Sequence, residues 1–181
     1  MSHATLDEIL PLSRFLARLL DSQAEIGAAL RAELQHPWTA QAMRDFLVAE
    51  AADEASLRTG LRRLRARVMA RVVARDLAGL ADLDEVTETM TTLADTTVAH
   101  AVAVLSAVLV ARHGSPRSEA GEAQELIIVG MGKLGGRELN VSSDIDLIFV
   151  YPEDGETDGE GQRLSNFDFF TRLGRQLIGA L

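Results

Sequence analysis

The hydrophobic period of this chain changes once, near Gly114, and that change decides what it can fold into. Upstream, apolar residues recur every three to four positions among Ala, Leu and Arg, the pattern of amphipathic helices. Downstream, short runs rich in β-branched residues are separated by glycine-rich stretches, which predicts strands and tight turns. The sequence therefore reads as mostly α with a partial α/β unit. It divides into a helical bundle over 1–113, a linker or surface loop over 114–124 (GSPRSEAGEAQ), and an α/β piece over 125–181.

In the helical part, Pro11, Pro37 and the region of Gly60 punctuate several segments. The periodicity predicts a helix over about 52–78, with Leu57, Leu61, Leu64, Val68 and Val72 on one face. Seven arginines flank that stripe (Arg58, Arg62, Arg63, Arg65, Arg67, Arg71 and Arg75), which reads as a solvated, salt-bridged face. A second helix is expected over about 82–112. Asp82 and Glu85 stand at its start like a capping box, Val86, Met90, Leu93, Ala101 and Val108 form its apolar face, and Gly114 ends it.

Composition removes several classes of function. With no cysteine there are no disulfides, thiolate metal sites or cysteine nucleophile. Aromatic residues make up only 4%, which argues against an all-β sandwich or a base-stacking platform. A net charge of −9 argues against binding nucleic acid or an anionic membrane. Residues 1–10 lack a basic segment followed by an apolar run, and the apolar stretch 101–111, broken by Ser106, falls short of the roughly 20 residues of a membrane span. A cytoplasmic protein is expected. The four histidines (His3, His36, His100 and His113) show no metal-ligand spacing.

The chemistry concentrates in Gly130–Asp146, GMGKLGGRELNVSSDID. A buried strand is predicted over 126–129 (LIIV) and another over 144–151 (DIDLIFVY). Side chains two apart on a strand share a face, so Asp144 and Asp146 can lean towards a common hard cation, with oxygen ligands suited to Mg²⁺. The glycines allow close backbone approach to phosphate oxygens, and Lys133 adds a positive charge. Gly130, Gly132 and Gly135 also match the dinucleotide-binding fingerprint, but about eight residues before the next strand leave no room for a crossover helix. No hydroxyl residue follows Lys133 as a P-loop requires. Asp154, Glu156 and Asp158 imitate half an EF-hand loop, yet Ser165 stands at its twelfth position, so a solvated acidic loop is expected. Ser165, with Asp168, starts a last helix lined by Phe170, Leu173, Leu177 and Leu181. The chain ends inside that pattern, as a piece of something longer would.

The stretch GMGKLGGRELNVSSDIDLIFVY resembles the signature of the bifunctional glutamine synthetase adenylyltransferase/adenylyl-removing enzymes, members of the polymerase β-like nucleotidyltransferase superfamily. The helical stretch from Leu61 to Asp95 is similar to that family as well. The resemblance implies that residues 125–181 begin a nucleotidyltransferase domain. It implies Asp144 and Asp146 as catalytic, Mg²⁺-holding residues, and Gly132, Lys133, Gly135, Gly136 and Ser143 as the phosphate cradle. Lys133 stands where the superfamily usually has Ser or Gly. The superfamily's third carboxylate has no counterpart on a strand here and is expected beyond Leu181. The wording ELNVSSDIDL and the start at Met1 resemble the adenylyl-removing copy, which cleaves AMP from a tyrosine of glutamine synthetase with phosphate, giving ADP. The alternatives are adenylyl transfer from ATP by the same residues, or a non-catalytic fragment that binds glutamine synthetase or the PII signal protein.

Overall fold

A computed structural model describes residues 4–181; His3 and the N-terminal methionine lie outside them. The described residues form a mostly helical protein of eight α-helices, with two small two-stranded sheets towards the C-terminus. The helices are α1 (Leu6–Ile9), α2 (Arg14–Ser22), α3 (Ala24–Glu33), α4 (Ala40–Glu50), α5 (Glu54–Leu77), α6 (Leu83–His113), α7 (Gly132–Gly135) and α8 (Asn166–Ala180). The strands are β1 (Pro116–Ser118), β2 (Ile127–Gly130), β3 (Leu147–Val150) and β4 (Gly155–Thr157).

Helix α5 is the organising element. Asp53 caps it reciprocally with Ser56, whose backbone N–H donates to Asp53 Oδ1 at 2.8 Å. Its expected stripe, Leu57, Leu61, Leu64, Val68 and Val72, is buried in a core shared with α4, α6, α8 and the β2–β3 sheet. The opposite face, Ala70, Ala74 and Ala78, meets Leu6, Ile9, Leu16, Ile26 and Leu30 of the N-terminal helices in a second core. Small residues on that face let three short helices pack close.

The arginine run differs from the solvated face expected of it. Arg71 and Arg75 are buried. Arg71 pairs with Glu33 and lies over the Trp38 ring, 4.7 Å from its centre. Arg75 is held by Glu85 through two bonds of 2.6 and 2.9 Å, and donates to the carbonyls of Leu34 and Leu80. A buried guanidinium needs most of its donors satisfied, and those of Arg75 are, whereas the Arg71 Nε is buried without a partner. The same contacts explain why the expected capping box of α6 is half formed. Asp82 accepts from the Glu85 N–H at 2.9 Å, but the Glu85 side chain is engaged by Arg75.

Helix α6 has an apolar window of mean hydropathy 1.8 and is long and apolar enough, by composition, to cross a membrane, unlike the shorter run 101–111. Its Val86, Met90, Leu93, Ala101, Leu105 and Leu109 are buried against the other helices, which makes it a core helix of this fold. Val108, assigned to the apolar face, is half-buried; Leu105 and Leu109 take its place.

The stretch 114–124, expected as a linker or loop, contains β1, which pairs antiparallel with β4 of the acidic loop. Asp158 closes this pairing by accepting from the Ser115 N–H at 2.7 Å and Arg117 Nε at 2.8 Å. Asn166, fully buried, donates to the carbonyls of Arg117 and Glu153 and ties the assembly to α8. The acidic residues thus serve hydrogen bonding; Asp154 likewise accepts from the Tyr151 hydroxyl. Ser165 caps α8 by accepting from the Asp168 N–H, as its spacing predicts.

Two outcomes follow. A Cβ on Gly60 would stand 2.6 Å from both the Ala51 Cβ and the Glu50 carbonyl oxygen. Gly60→Ala gains about 1 kcal/mol of helix propensity but forces rigid backbone apart, for a net loss of about 1–2 kcal/mol in urea unfolding. The Arg117 and Ser115 hydrogen bonds hold the Asp158 carboxyl below the ordinary carboxylate range. A lowered folded-state pKa contributes stability above the unfolded value and loses it as pH falls through the folded one. Asp158→Asn is therefore less stable than the parent at neutral pH, with a gap that closes in thermal melts below about pH 4.

Candidate functional site

Strands β2 and β3 pair antiparallel, Ile127 with Val150 through Gly130 with Leu147. The connection carries only the one-turn helix α7, so the dinucleotide fingerprint lacks its parallel crossover. Both strands sit slightly differently from expectation: β2 is shifted one residue on, and regular β3 begins at Leu147, after the acids. The extended conformation nevertheless starts earlier. Exposure alternates without interruption from Ser142 to Val150, and the Met131 N–H donates to the Asp146 carbonyl at 2.9 Å.

That alternation places Asp144 and Asp146 on one exposed face, together with Ile148 and Val150, while Ile145, Leu147 and Phe149 point inward. Phe149 packs on Gly174 of α8. Strand β2 is not buried on both faces, as its apolar run suggested. Ile127 and Val129 are 48% and 42% exposed, because the sheet is covered by helices on one side only.

The glycine turn is built by close contacts. Gly132 has φ +54°, a left-handed conformation that favours glycine, and a Cβ there would lie 4.0 Å from Asp146 Oδ2. A Cβ on Gly135 would meet the Gly130 carbonyl oxygen at 2.5 Å, so Gly135 serves the turn's own packing. Gly136 caps α7 with ordinary backbone angles. The turn then closes as a Schellman motif, the Arg137 N–H donating to the Leu134 carbonyl and the Glu138 N–H to the Lys133 carbonyl. The left-handed position of that motif is held by Arg137, at φ +57°, where glycine is usual. That conformation costs about 1–2 kcal/mol, and the Arg137 guanidinium reaches α6 in exposed ion pairs, 2.6 Å from Glu88 and 3.5 Å from Asp95.

Lys133 Nζ lies 3.5 Å from Ser143 Oγ, which connects the turn with the segment before the acids. Asn140 shapes that segment: its Oδ1 accepts from the Ser142 N–H and from the hydroxyls of Ser142 and Ser143. Gly132 and Asp146 are thus neighbours, as are Lys133 and Ser143. Asp144 and Ser143 line a cleft of about 380 Å³ shared with α5 and α6. Sequence reasoning missed Asn140 and Arg137 as organisers; the Asn-x-Ser-Ser spacing was the legible signal for the former.

The oxygen donors on this exposed face, Asp144 and Asp146, are of the type a hard cation takes. No cluster of three or more metal-ligating side chains occurs among the described residues. The expected third carboxylate is therefore not supplied by them.

The arrangement sets two carboxylates beside a glycine turn on a mostly helical scaffold. A sequence profile for glutamate-ammonia ligase adenylyltransferase matches residues 3–181. The bifunctional glutamine synthetase adenylyltransferase/adenylyl-removing enzyme of Aromatoleum aromaticum is 57% identical over 94% of this chain and 18% of the relative. Those of Nitrosomonas eutropha and Ralstonia nicotianae are 51% and 47% identical over 96% and 98% of the chain, each over 19% of the relative. The chain belongs to the glutamate-ammonia ligase adenylyltransferase family, and it spans about a fifth of the length of the curated relatives it matches.

Gly135 and Gly136 separate packing from composition. Gly135→Ala disrupts the turn, lowering the thermal midpoint and shifting the NMR amide signals of Met131 and Asp146. At Gly136 the nearest atoms to a Cβ lie at 3.5 Å or more, so Gly136→Ala leaves both nearly unchanged. Equal effects of the two substitutions would contradict this division.

Proposed function

We propose that these residues belong to a nucleotidyltransferase unit that removes AMP from adenylylated glutamine synthetase by phosphorolysis, in the regulation of nitrogen assimilation. One observation carries the reading: Asp144 and Asp146 share an exposed face beside a glycine turn that is hydrogen-bonded to the acidic segment itself. The names of the relatives, which join adenylyl transfer and adenylyl removal on glutamine synthetase, support it. The removing direction rests on the likeness of ELNVSSDIDL to that copy of the family. PII is proposed as a further partner on the resemblance alone.

In this reading Asp144 and Asp146 would hold Mg²⁺, which when bound would supply positive charge against the phosphoryl oxygens. The chain's own residues position the substrates. Gly132 admits phosphate oxygens close to the backbone, Lys133 contributes a cationic donor, and Gly135 keeps the turn in shape. Ser143, oriented by Asn140, offers a hydroxyl beside Lys133. An oxygen of inorganic phosphate attacks the phosphorus of the AMP–tyrosine ester. The P–O bond to tyrosine breaks, the tyrosine oxygen takes up a proton, and ADP is released.

Asp146→Asn tests the site directly. Removing a ligand is expected to weaken Mn²⁺ binding, read by electron paramagnetic resonance, about tenfold or more. It also abolishes phosphate-dependent ADP formation from adenylylated glutamine synthetase. Undiminished ADP formation by the variant would refute the assignment, and label transfer from ATP to glutamine synthetase in place of ADP release would reverse the direction.

A further inference from the structure

Five of the seven arginines in the run on α5 have partners. Arg58 donates to the Gly179 carbonyl, Arg63 pairs with Glu50, Arg67 lies over the Phe46 ring, and Arg71 and Arg75 are held by Glu33 and Glu85. The two left without an ion pair, a hydrogen bond or a ring contact among the described residues, Arg62 and Arg65, are the two that line the cleft containing Ser143 and Asp144. The rest of that cleft is mostly apolar, with Leu61, Met90, Leu93 and Leu139, and Leu181, the last residue of the sequence, also lines it.

We propose that Arg62 and Arg65 form an oxyanion subsite for a phosphate group. It takes inorganic phosphate before the reaction and the terminal phosphate of ADP after it. The inference rests on the phosphorolytic reading above and names where its second substrate sits.

Residues three apart on a helix have Cβ atoms about 5–6 Å apart, so two guanidinium forks can converge on one tetrahedral anion. Each planar fork can give two parallel N–H bonds to phosphate oxygens. Ion pairs on neighbouring arginines show that acids are available on this chain of net charge −9, yet none is spent on these two. A cation pair held free at the mouth of a cleft costs little when solvated and gains most when an anion bridges it. In phosphorolysis the attacking phosphate becomes the β-phosphate of ADP, so one subsite serves both ends of the reaction, and AMP has no group to fill it.

The test is calorimetric titration of the full 181-residue chain, in EDTA, with inorganic phosphate, ADP and AMP. Phosphate binds saturably, and ADP binds more tightly than AMP. In R62Q/R65Q phosphate affinity falls about tenfold or more, and the advantage of ADP over AMP disappears. R14Q/R18Q removes the same charge from exposed positions on α2 and leaves both affinities unchanged. The thermal midpoint verifies folding, and R65Q alone gives an intermediate loss should the double variant fail to fold. The subsite is overturned by non-saturable phosphate binding, by equal affinities for ADP and AMP in the parent chain, or by an equal loss in R14Q/R18Q. Mn²⁺ titration of D146N, without phosphate, reads the acidic pair separately. Failure of either reading is thus seen without the other: intact phosphate binding with no metal effect sinks the acids alone, and the converse sinks the arginines alone.

Discussion

The buried guanidinium of Arg75 sets the register on which the site depends. It bonds the Leu34 carbonyl at the end of α3, the Leu80 carbonyl in the α5–α6 turn, and the Glu85 carboxylate at the start of α6. One side chain thereby fixes where α6 begins against α5. From that register follow Glu88 and Asp95, one and about three turns further along α6, and these hold Arg137. Arg137 in turn occupies the left-handed position that closes the glycine turn. A buried ion pair adds little net stability compared with an apolar substitute, but it discriminates strongly among registers, because any slip strands a charge. Placement of the turn by a chain of ion pairs suits a site that must be accurate and remain near solvent.

Much of the fold was legible because it depends on local pattern. The stripe from Leu57 to Val72, the caps at Asp82 and Ser165 and the stop at Gly114 follow from helix geometry and from unsatisfied backbone groups at helix ends. The alternation from Asp144 to Phe149 was equally visible. The misreadings share a different cause: they turn on partners distant in sequence. Seven similar arginines give no sign of which two are buried; Glu33 and Glu85 decide it. Strand β1 is three residues, Pro-Arg-Ser, with no β pattern of its own, and exists because residues 155–157 come alongside. Residues 126–129 read as buried through composition, whereas burial depends on whether a second layer is present.

The candidate site was legible as a set of residues but not as a geometry. Spacing put Asp144 and Asp146 on one face, as the alternation in exposure has them, while Gly132 was marked by the resemblance to the family's signature and lies beside Asp146. It could not separate Gly135, whose lack of a side chain answers to the Gly130 carbonyl, from Gly132, which lies open towards Asp146. Nor could it show that α5, some eighty residues upstream, forms part of the cleft with Asp144.

That junction gives the helical region a role beyond support. The extended segment is a two-sided element: inward residues Ile145, Leu147 and Phe149 are gripped by the helical core, and each inward contact fixes an outward neighbour one residue away. Because side chains alternate strictly, the carboxylates cannot shift along the strand without pulling apolar groups from the core. Full burial of a large apolar side chain is worth about 1.5–3 kcal/mol, and even the partial burial of these three together outweighs the roughly 0–1 kcal/mol that an exposed carboxylate gains from a surface partner. The core therefore aims the acids. The same inward packing leaves Ile127, Val129, Ile148 and Val150 as an exposed apolar strip continuous with them. Hydrophobic packing thus fixes the position of the charged groups, while the exposed face leaves both carboxylates open to solvent.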